Sequence, residues 1–298
     1  MSYYSRLQKA FDKAPVLPLE QGNKYVIFSD CHRGIGNAND NFSKNQTLYI
    51  AALKYYLKQD FTYIEAGDGD ELWENHDMSK IIEANSDVFY LHSIFHRLGR
   101  LHLLYGNHDI VKKNCSFTTR YCSTYPCCCC NHPHLESKPL LPDIKIQEGI
   151  ILENKTQENV PKIYITHGHQ AELFNSAFWP LARFLVRYLW KPLESIGIVN
   201  PTSAAYNHVK KKKSEGRLHN FAAQNNILLL AGHTHRAYLS EADPYYANSG
   251  SCVQPYSITC LEIEHLQISL VKWNLTADAD MRLYVAREVL SGPVALDR

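Results

Sequence analysis

Two histidines one residue apart, His233 and His235, follow a short apolar run at residues 228–231. Neutral imidazoles are good ligands for first-row transition metals. A buried strand has little use for a Gly-His-Thr-His ending, so this stretch indicates a metal site. Two histidines cannot form that site alone, and the rest of the chain must supply the other ligands.

Four further short runs are apolar or rich in β-favouring residues, and each ends where oxygen- and nitrogen-bearing side chains begin. The side chains that follow them are Asp30 and His32, then Asp68, then Asn107 and His108, and finally His167. Open α/β sheets gather their ligands just past the carboxyl ends of their strands. Five such ends in one sheet would bring these groups together in a crevice.

The combined set of side chains suits a pair of metal ions. Two ions about 3.5–4 Å apart can clamp the attacking and leaving oxygens of an in-line phosphoryl displacement. Such a site needs several oxygen and nitrogen ligands and one carboxylate able to bridge. The chain offers seven candidates, namely Asp30, His32, Asp68, Asn107, His167, His233 and His235. Asn107 is the most informative of them, because an amide is an uncommon metal ligand and Gly-Asn-His-Asp is a poor generic turn.

The motifs also carry a family resemblance through their order. They are Asp-x-His at 30–32, Gly-Asp-x-x-Glu at 67–71, Gly-Asn-His-Asp at 106–109, His-Gly-His at 167–169 and Gly-His-Thr-His at 232–235. This order resembles the calcineurin-like metallophosphoesterases over residues 24 to 235. The resemblance implies an α/β fold, a four-layer α/β/β/α sandwich of two mixed sheets with the metal site at the carboxyl ends of strands.

The resemblance further implies a role for each candidate residue. One divalent ion would be held by Asp30, His32 and His235, the other by Asn107, His167 and His233, with Asp68 as the bridge. A metal-activated hydroxide would attack phosphorus. His108 would contact the phosphate and stabilise or protonate the leaving oxygen, and Glu71 would orient that histidine. The two ions would most often be manganese, with iron or zinc as alternatives.

The predicted function is therefore metal-dependent hydrolysis of a phosphodiester or pyrophosphate bond in a small or amphipathic substrate. Hydrolysis of phosphomonoesters or phosphoproteins is an alternative. Another is UDP-2,3-diacylglucosamine hydrolysis, because a helical insertion after His167 resembles those enzymes. They usually carry arginine where this chain has His108, and His-Gly-Asp where it has His-Gly-His. A non-enzymatic scaffold would be expected to lose ligands or His108, and none is missing.

Three arginines are candidates for substrate contact. Arg33 follows the Asp-x-His pair and could reach a phosphate, while Arg183 and Arg187 lie four residues apart on one helical face. The latter two belong to an aromatic segment, residues 173–190, that is either core or a lid over the site.

Three polar residues beside the motifs receive weaker assignments. Asp109 is predicted to fix its own loop, and His169 either supports a ligand or faces solvent. Asp70 is expected at the surface.

Length and patterning predict one domain over residues 1–298 with two excursions, a Cys-rich one at 112–143 and a helical, cap-like insertion at 170–225. Helical spacing predicts helices over 45–58 and 78–98. Strands are predicted at 144–153, 258–264 and 266–273.

Composition narrows the partners and the compartment. With 31 basic and 30 acidic residues the net charge is +1, which gives no support for a nucleic-acid or membrane surface. No run approaches the length of a spanning helix and the first residues lack a signal-peptide core, so a cytoplasmic location is expected. Oligomeric state is not predicted.

Six of the nine cysteines lie between residues 115 and 130, and a disulfide framework is not expected without a secretion signal. The region is either a surface insertion with free thiols or a structural zinc site, for which the candidate ligands are Cys115, Cys122, His132 and His134.

Overall fold

The computed structural model describes residues 2–125, 138–172 and 208–297. The predicted aromatic segment 173–190, with Arg183 and Arg187, lies outside these residues, as do the cysteine run 127–130, His132 and His134. The described residues form an α/β fold in which two mixed sheets are flanked by helices. This confirms the predicted fold class.

The larger sheet has seven strands and carries the first three motifs. Its strands, in spatial order, are β12 (Leu283–Ala295), β11 (Gln267–Ala277), β10 (Ser257–Glu264), β2 (Tyr25–Phe28), β3 (Thr62–Ala66), β4 (Leu101–Leu104) and β5 (Ile146–Gln147). Strands β2 to β5 are parallel, and β10, β11 and β12 continue the sheet antiparallel. β2, β3 and β4 are largely buried because both faces of the sheet are covered.

The smaller sheet has five strands and carries the other two motifs. In spatial order they are β1 (Val16–Pro18), β6 (Gly149–Glu153), β7 (Ile163–Thr166), β8 (Leu228–Ala231) and β9 (Tyr246–Asn248). β7, β8 and β9 are parallel, whereas β6 pairs antiparallel with β7. The expectation that all five strand ends belong to one sheet is therefore wrong, because β2 to β4 lie in one sheet and β7 and β8 in the other.

Alternation along the strands produces four layers. In β2, Ile27 faces the second sheet and packs with Ile165 and Leu230, while Phe28 faces the outer helices. The helices are α1 (Tyr3–Phe11), α2 (Gln46–Lys58), α3 (Met78–Ala84), α4 (Ser86–Arg97), α5 (Cys115–Cys122) and α6 (His208–Asn225). Helices α2, α3 and α4 cover the seven-stranded sheet, and α1 and α6 cover the other. Within the described part of the chain, none of these helices combines the length and apolar character needed to cross a membrane.

The helix predicted over 78–98 is interrupted at Asn85, which has a non-helical backbone with φ −119° and ψ 33°. Its side-chain amide donates to the carbonyls of Ile81 and Gly34, both at 2.9 Å. Asparagine side chains compete with the helical backbone for hydrogen bonds in this way. The same side chain also anchors the loop that follows His32, through its hydrogen bond to Gly34.

The described parts of both predicted excursions contain helices, and only the one within 112–143 was not expected from the sequence. Within 112–143, helix α5 begins after Asn114, whose side chain accepts from the Ser116 amide at 3.0 Å. Within 170–225, helix α6 packs Leu218 and Phe221 against Tyr164 of β7. This part of the predicted insertion therefore packs in the outer helical layer of the fold.

Candidate metal centre

The predicted ligands converge where the carboxyl ends of the two sheets meet. The ligand atoms of Asp30, His32 and His235 all lie within 4.8 Å of one another, and so do those of Asp68, His167 and His233. Each trio draws residues from both sheets, since the aspartates and His32 follow strands of the larger sheet and the other histidines follow β7 and β8. We refer to these trios as the first and second groups.

Asp68 lies between the two groups. Its Oδ2 is 3.7 Å from Nε2 of His32 and 3.2 Å from Nε2 of His167. Its Oδ1 accepts the backbone N–H of His108 at 2.8 Å. One oxygen is thus fixed by the protein while the other faces imidazoles of both groups. Asn107 completes the second group, with its Oδ1 3.2 Å from Nε2 of His167.

Several buried donor atoms around the two groups are suited to a cation. Asp30 Oδ2 accepts the His233 amide at 2.8 Å, whereas its Oδ1 has no hydrogen-bond partner among the described residues and lies 3.1 Å from His235 Nε2. His32 Nε2 is buried and unsatisfied in the same way. His167 donates Nδ1–H to the Ala66 carbonyl at 3.0 Å, which leaves the Nε2 lone pair for a ligand. Buried polar atoms are normally satisfied, so unsatisfied oxygen and nitrogen atoms that converge here fit a metal ion.

The backbone at the ligands is unusual. Five of the seven predicted ligands have positive φ angles, namely Asp30 (51°), His32 (48°), Asp68 (51°), His233 (68°) and His235 (54°). Side-chain-bearing residues seldom adopt this left-handed region, and holding one there costs of order 1–3 kcal/mol. These five are among twelve such non-glycine residues in the described chain, so the predicted ligands are strongly over-represented, as is common at functional sites.

Two motif glycines permit the close approach of the carboxylates. A Cβ at Gly106 would lie 2.1 Å from Asp68 Oδ1, and one at Gly232 would lie 2.3 Å from Asp30 Oδ2. Any larger residue would therefore displace an aspartate. Each of these glycines thus leaves room for a carboxylate from another loop, Gly106 for Asp68 and Gly232 for Asp30.

The electrostatics around His32 and His167 favour positive charge. Burial lowers the pKa of His32 and His167, but hydrogen bonds and nearby carboxylates outweigh burial and raise these pKa values to about 10 and about 9. Burial raises the pKa of Asp68, yet the imidazoles of His167 and His108 hold it well below its usual range. Surroundings that stabilise bound protons so strongly also attract a metal ion, which competes with those protons for the same atoms.

Glu71 connects His32 with His108. Its Oε2 lies 2.8 Å from Nδ1 of His32, and its Oε1 lies 2.9 Å from Nδ1 of His108. Oε1 also accepts the backbone N–H groups of Trp73 at 3.2 Å and Glu74 at 3.3 Å. A carboxylate surrounded by donors directs both imidazoles to present Nδ1–H to it. Their Nε2 atoms are then the ones available to a metal ion or a substrate.

Two sequence predictions about charged residues are wrong. Arg33 is only 1% exposed, and its guanidinium pairs with Glu65 at 2.6 and 2.9 Å and with Asp70 at 2.7 Å. It is committed to buried carboxylates and is not presented to a substrate phosphate. Asp70, expected at the surface, is also buried and pairs with Lys112 as well. Glu65 was the sequence feature that could have indicated the burial of Arg33, because a carboxylate inside a buried strand requires a cationic partner.

Asp109 supports the loops of the centre, and His169 is buried beside them. Asp109 accepts the amides of Gly106 at 2.7 Å and Gly69 at 3.1 Å, and it pairs with Lys112 at 2.8 Å. It thus ties the loop after β3 to the loop after β4. His169 is 2% exposed with its ring 5.5 Å from that of His167, so it is buried beside a candidate ligand rather than solvated.

Comparisons with known proteins find only distant structural similarity. No protein-family model matches the chain, and no curated protein matches it. Among solved structures, Vps29 of Chaetomium thermophilum is similar at 10% identity and a TM-score of 0.41, over 91% of this chain and 97% of that one. A point mutant of a cold-active protein tyrosine phosphatase is similar at 16% identity and a TM-score of 0.45, over 93% and 82% of the two chains. The chemistry of the site has to be understood from its own side chains.

Proposed function

We propose that this chain is a dimetal-dependent phosphoesterase that hydrolyses a phosphodiester or pyrophosphate bond. The observation that supports the proposal is the pair of ligand groups with one oxygen of Asp68 facing both. A single structural metal would not require two adjoining groups that share a carboxylate. Two ions held side by side are suited to a phosphoryl displacement.

The donor set is consistent with hard or borderline divalent ions. Asp30, His32 and His235 would hold one ion, Asn107, His167 and His233 the other, and Asp68 would lie between them. Carboxylate, amide and imidazole ligands suit manganese, and they also accept iron or zinc. When bound, such ions polarise a phosphoryl oxygen and lower the pKa of a water molecule.

His108 is the residue best situated to act on the leaving group. Its Nδ1 is engaged by Glu71, so its Nε2 is the atom available to a substrate oxygen. Burial lowers the pKa of His108, but the negative charges of Glu71 and Asp68 outweigh burial and raise it. A protonated imidazole can donate Nε2–H to the departing oxygen, and Glu71 stabilises the positive charge meanwhile.

The test is hydrolysis of bis-p-nitrophenyl phosphate and p-nitrophenyl phosphate with and without added Mn²⁺, alongside metal content by mass spectrometry. We expect manganese-dependent cleavage of the diester and about two ions per chain. Faster cleavage of the monoester would favour a phosphomonoesterase instead.

A pair of aspartate variants makes the assay specific to the centre. Asp68→Ala should lose both ions and lower activity by orders of magnitude, because it removes the shared carboxylate. Asp280→Ala is the matched control, since that carboxylate is 71% exposed. Normal metal content and turnover in Asp68→Ala would refute the bridging role, and no metal or turnover with any divalent ion in the unmodified chain would favour a non-catalytic scaffold.

A further inference from the structure

The indole of Trp73 lies flat against the imidazole of His108. The ring centroids are 4.2 Å apart and the planes differ by 20°, which is a stacked arrangement. Trp73 is only 4% exposed, so its ring is held by the fold, while the side chain of His108 is 24% exposed. A rigid buried ring thus supports one face of a partly accessible one.

Two other groups also contact the His108 ring. His32 approaches with its ring at 4.6 Å and 85°, in an edge-to-face arrangement, and Glu71 engages Nδ1. Trp73 contributes to this last contact as well, because its backbone N–H donates to Oε1 of Glu71 at 3.2 Å. One residue therefore fixes the imidazole through its side chain and the orienting carboxylate through its backbone.

We propose that Trp73 is a positioning residue that holds His108 with Nε2 directed at the leaving oxygen, and that the enzyme thereby acts on esters of poorly acidic alcohols. This inference rests on the proposed function. Glu71 alone restrains the ring at a single nitrogen, about which the imidazole can still tilt. The stacked indole removes that tilt, and proton donation depends steeply on alignment.

The step concerned has a simple balance. A water molecule supplies the oxygen that forms the new bond to phosphorus, and it releases one proton to solvent. The bond between phosphorus and the leaving oxygen breaks, its electron pair remains on that oxygen, and a proton from Nε2 of His108 neutralises the developing alkoxide. His108 then regains a proton from solvent. A p-nitrophenolate departs without such help, whereas a phenolate or alkoxide requires it. Loss of alignment should therefore slow esters of weakly acidic alcohols selectively.

The experiment compares 4-nitrophenyl methyl phosphate with phenyl methyl phosphate in the manganese-loaded enzyme. Trp73→Leu should lower kcat for the phenyl ester by about 10- to 100-fold, a part of the 10²–10⁴-fold that proton transfer contributes. The nitrophenyl ester should lose less than about 3-fold, since its departure needs no proton. His108→Ala should show the same selectivity with a larger loss, and Trp73→Phe should recover most of the phenyl ester rate.

Two controls separate positioning from general damage. Trp273→Leu removes another buried indole, 5% exposed and packed against Tyr55 and Tyr56 in the helical layer, and should slow both esters equally if at all. Metal content should stay unchanged in Trp73→Leu, because the indole stacks on His108, which is not a predicted metal ligand. Trp73→Met replaces Trp73→Leu if the leucine variant does not fold.

Equal losses for the two esters, or loss of metal from Trp73→Leu, would overturn the positioning role while leaving the phosphoesterase intact. The positioning role would also be overturned if the Trp73 variants cleave both esters at the same rates as an unmodified enzyme that binds two ions. If the unmodified chain cleaves neither ester with any divalent ion, the proposed function fails first and this inference fails with it.

Discussion

Replacement of Arg33 by methionine distinguishes a structural arginine from a substrate-binding one. The sequence suggests phosphate contact, whereas the structure buries the guanidinium between Glu65 and Asp70. Methionine retains much of the side-chain volume but leaves both carboxylates without this partner. Asp70 keeps Lys112, while Glu65 keeps the hydroxyl of Tyr63 at 3.2 Å. The larger penalty therefore falls on Glu65.

The expected loss of stability follows from burial. Removal of one member of a buried ion pair costs about 3–5 kcal/mol, because an uncompensated charge remains. For a chain of this size, that loss should lower the melting temperature by roughly 10 °C. The double variant Arg33→Met/Glu65→Met should recover most of the loss, since apolar replacement of both partners is often close to neutral.

Urea unfolding followed by circular dichroism measures this effect. A chelator should be present so that bound metal does not contribute to the free energy of unfolding. The matched control is Arg282→Met, because Arg282 and its partner Asp280 are 78% and 71% exposed and their charges are screened. We expect little change in that variant.

The reasoning would be refuted by Arg33→Met with a free energy of unfolding within about 0.5 kcal/mol of the parent, the range of an ordinary surface substitution. A raised KM with unchanged stability would show further that the guanidinium serves the substrate after all.

Two other predictions concern the centre and its surroundings. Gly106→Ala should weaken metal binding by about 10- to 100-fold in titration calorimetry, because the new Cβ displaces Asp68. The control is Gly22→Ala, because a Cβ at Gly22 would meet no described atom within 4 Å. Equal metal affinities in the two variants would contradict the steric argument. Burial, followed by the charge of Arg33, lowers the pKa of His92 to about 4 from an ordinary 6.5. The unfolded chain therefore takes up this proton first as the pH falls from 6.5 to 4, and the native state loses about 3 kcal/mol over that window. His92→Phe should flatten the decline in urea-unfolding free energy over this range, and an identical decline in both proteins would show that His92 is not the source.

The positions of the candidate metal ligands could be predicted because each follows from local sequence. A strand of four or five residues followed directly by Asp-x-His or Gly-Asn-His-Asp fixes where those side chains emerge, whatever the order of strands in the sheet. Packing of the strands then brings the groups together. The assignment of strands to two sheets came from the family resemblance, since no local pattern reports which strands pair.

Burial of charge could not be predicted by the same means. Arg33 and Asp70 have the local sequence of ordinary loop residues, and only the tertiary fold places Glu65 and Lys112 beside them. Polar side chains carry no periodic signal when they pair across elements.

The unpredicted strand β12 illustrates another limit of the sequence. It is an edge strand, 13 residues long, whose exposed positions lack regular alternation. It forms because β11 offers it a partner from Gln267 to Ala277. Helix α6 has a similar cause, since its packing against β7 and β8 gives order to a lysine-rich sequence with a weak apolar face.

Both ligand groups contain residues from loops of both sheets. A bound ion would therefore link the two sheets of the sandwich. Ligand binding to the native state alone stabilises it by about 2.7 kcal/mol at a free concentration one hundred times the dissociation constant. The supply of metal would then govern how firmly the two sheets stay packed together as well as the rate of the proposed hydrolysis. The melting temperature should then rise with each tenfold increase in free ion concentration. Thermal stability would thus report how much metal the protein has bound.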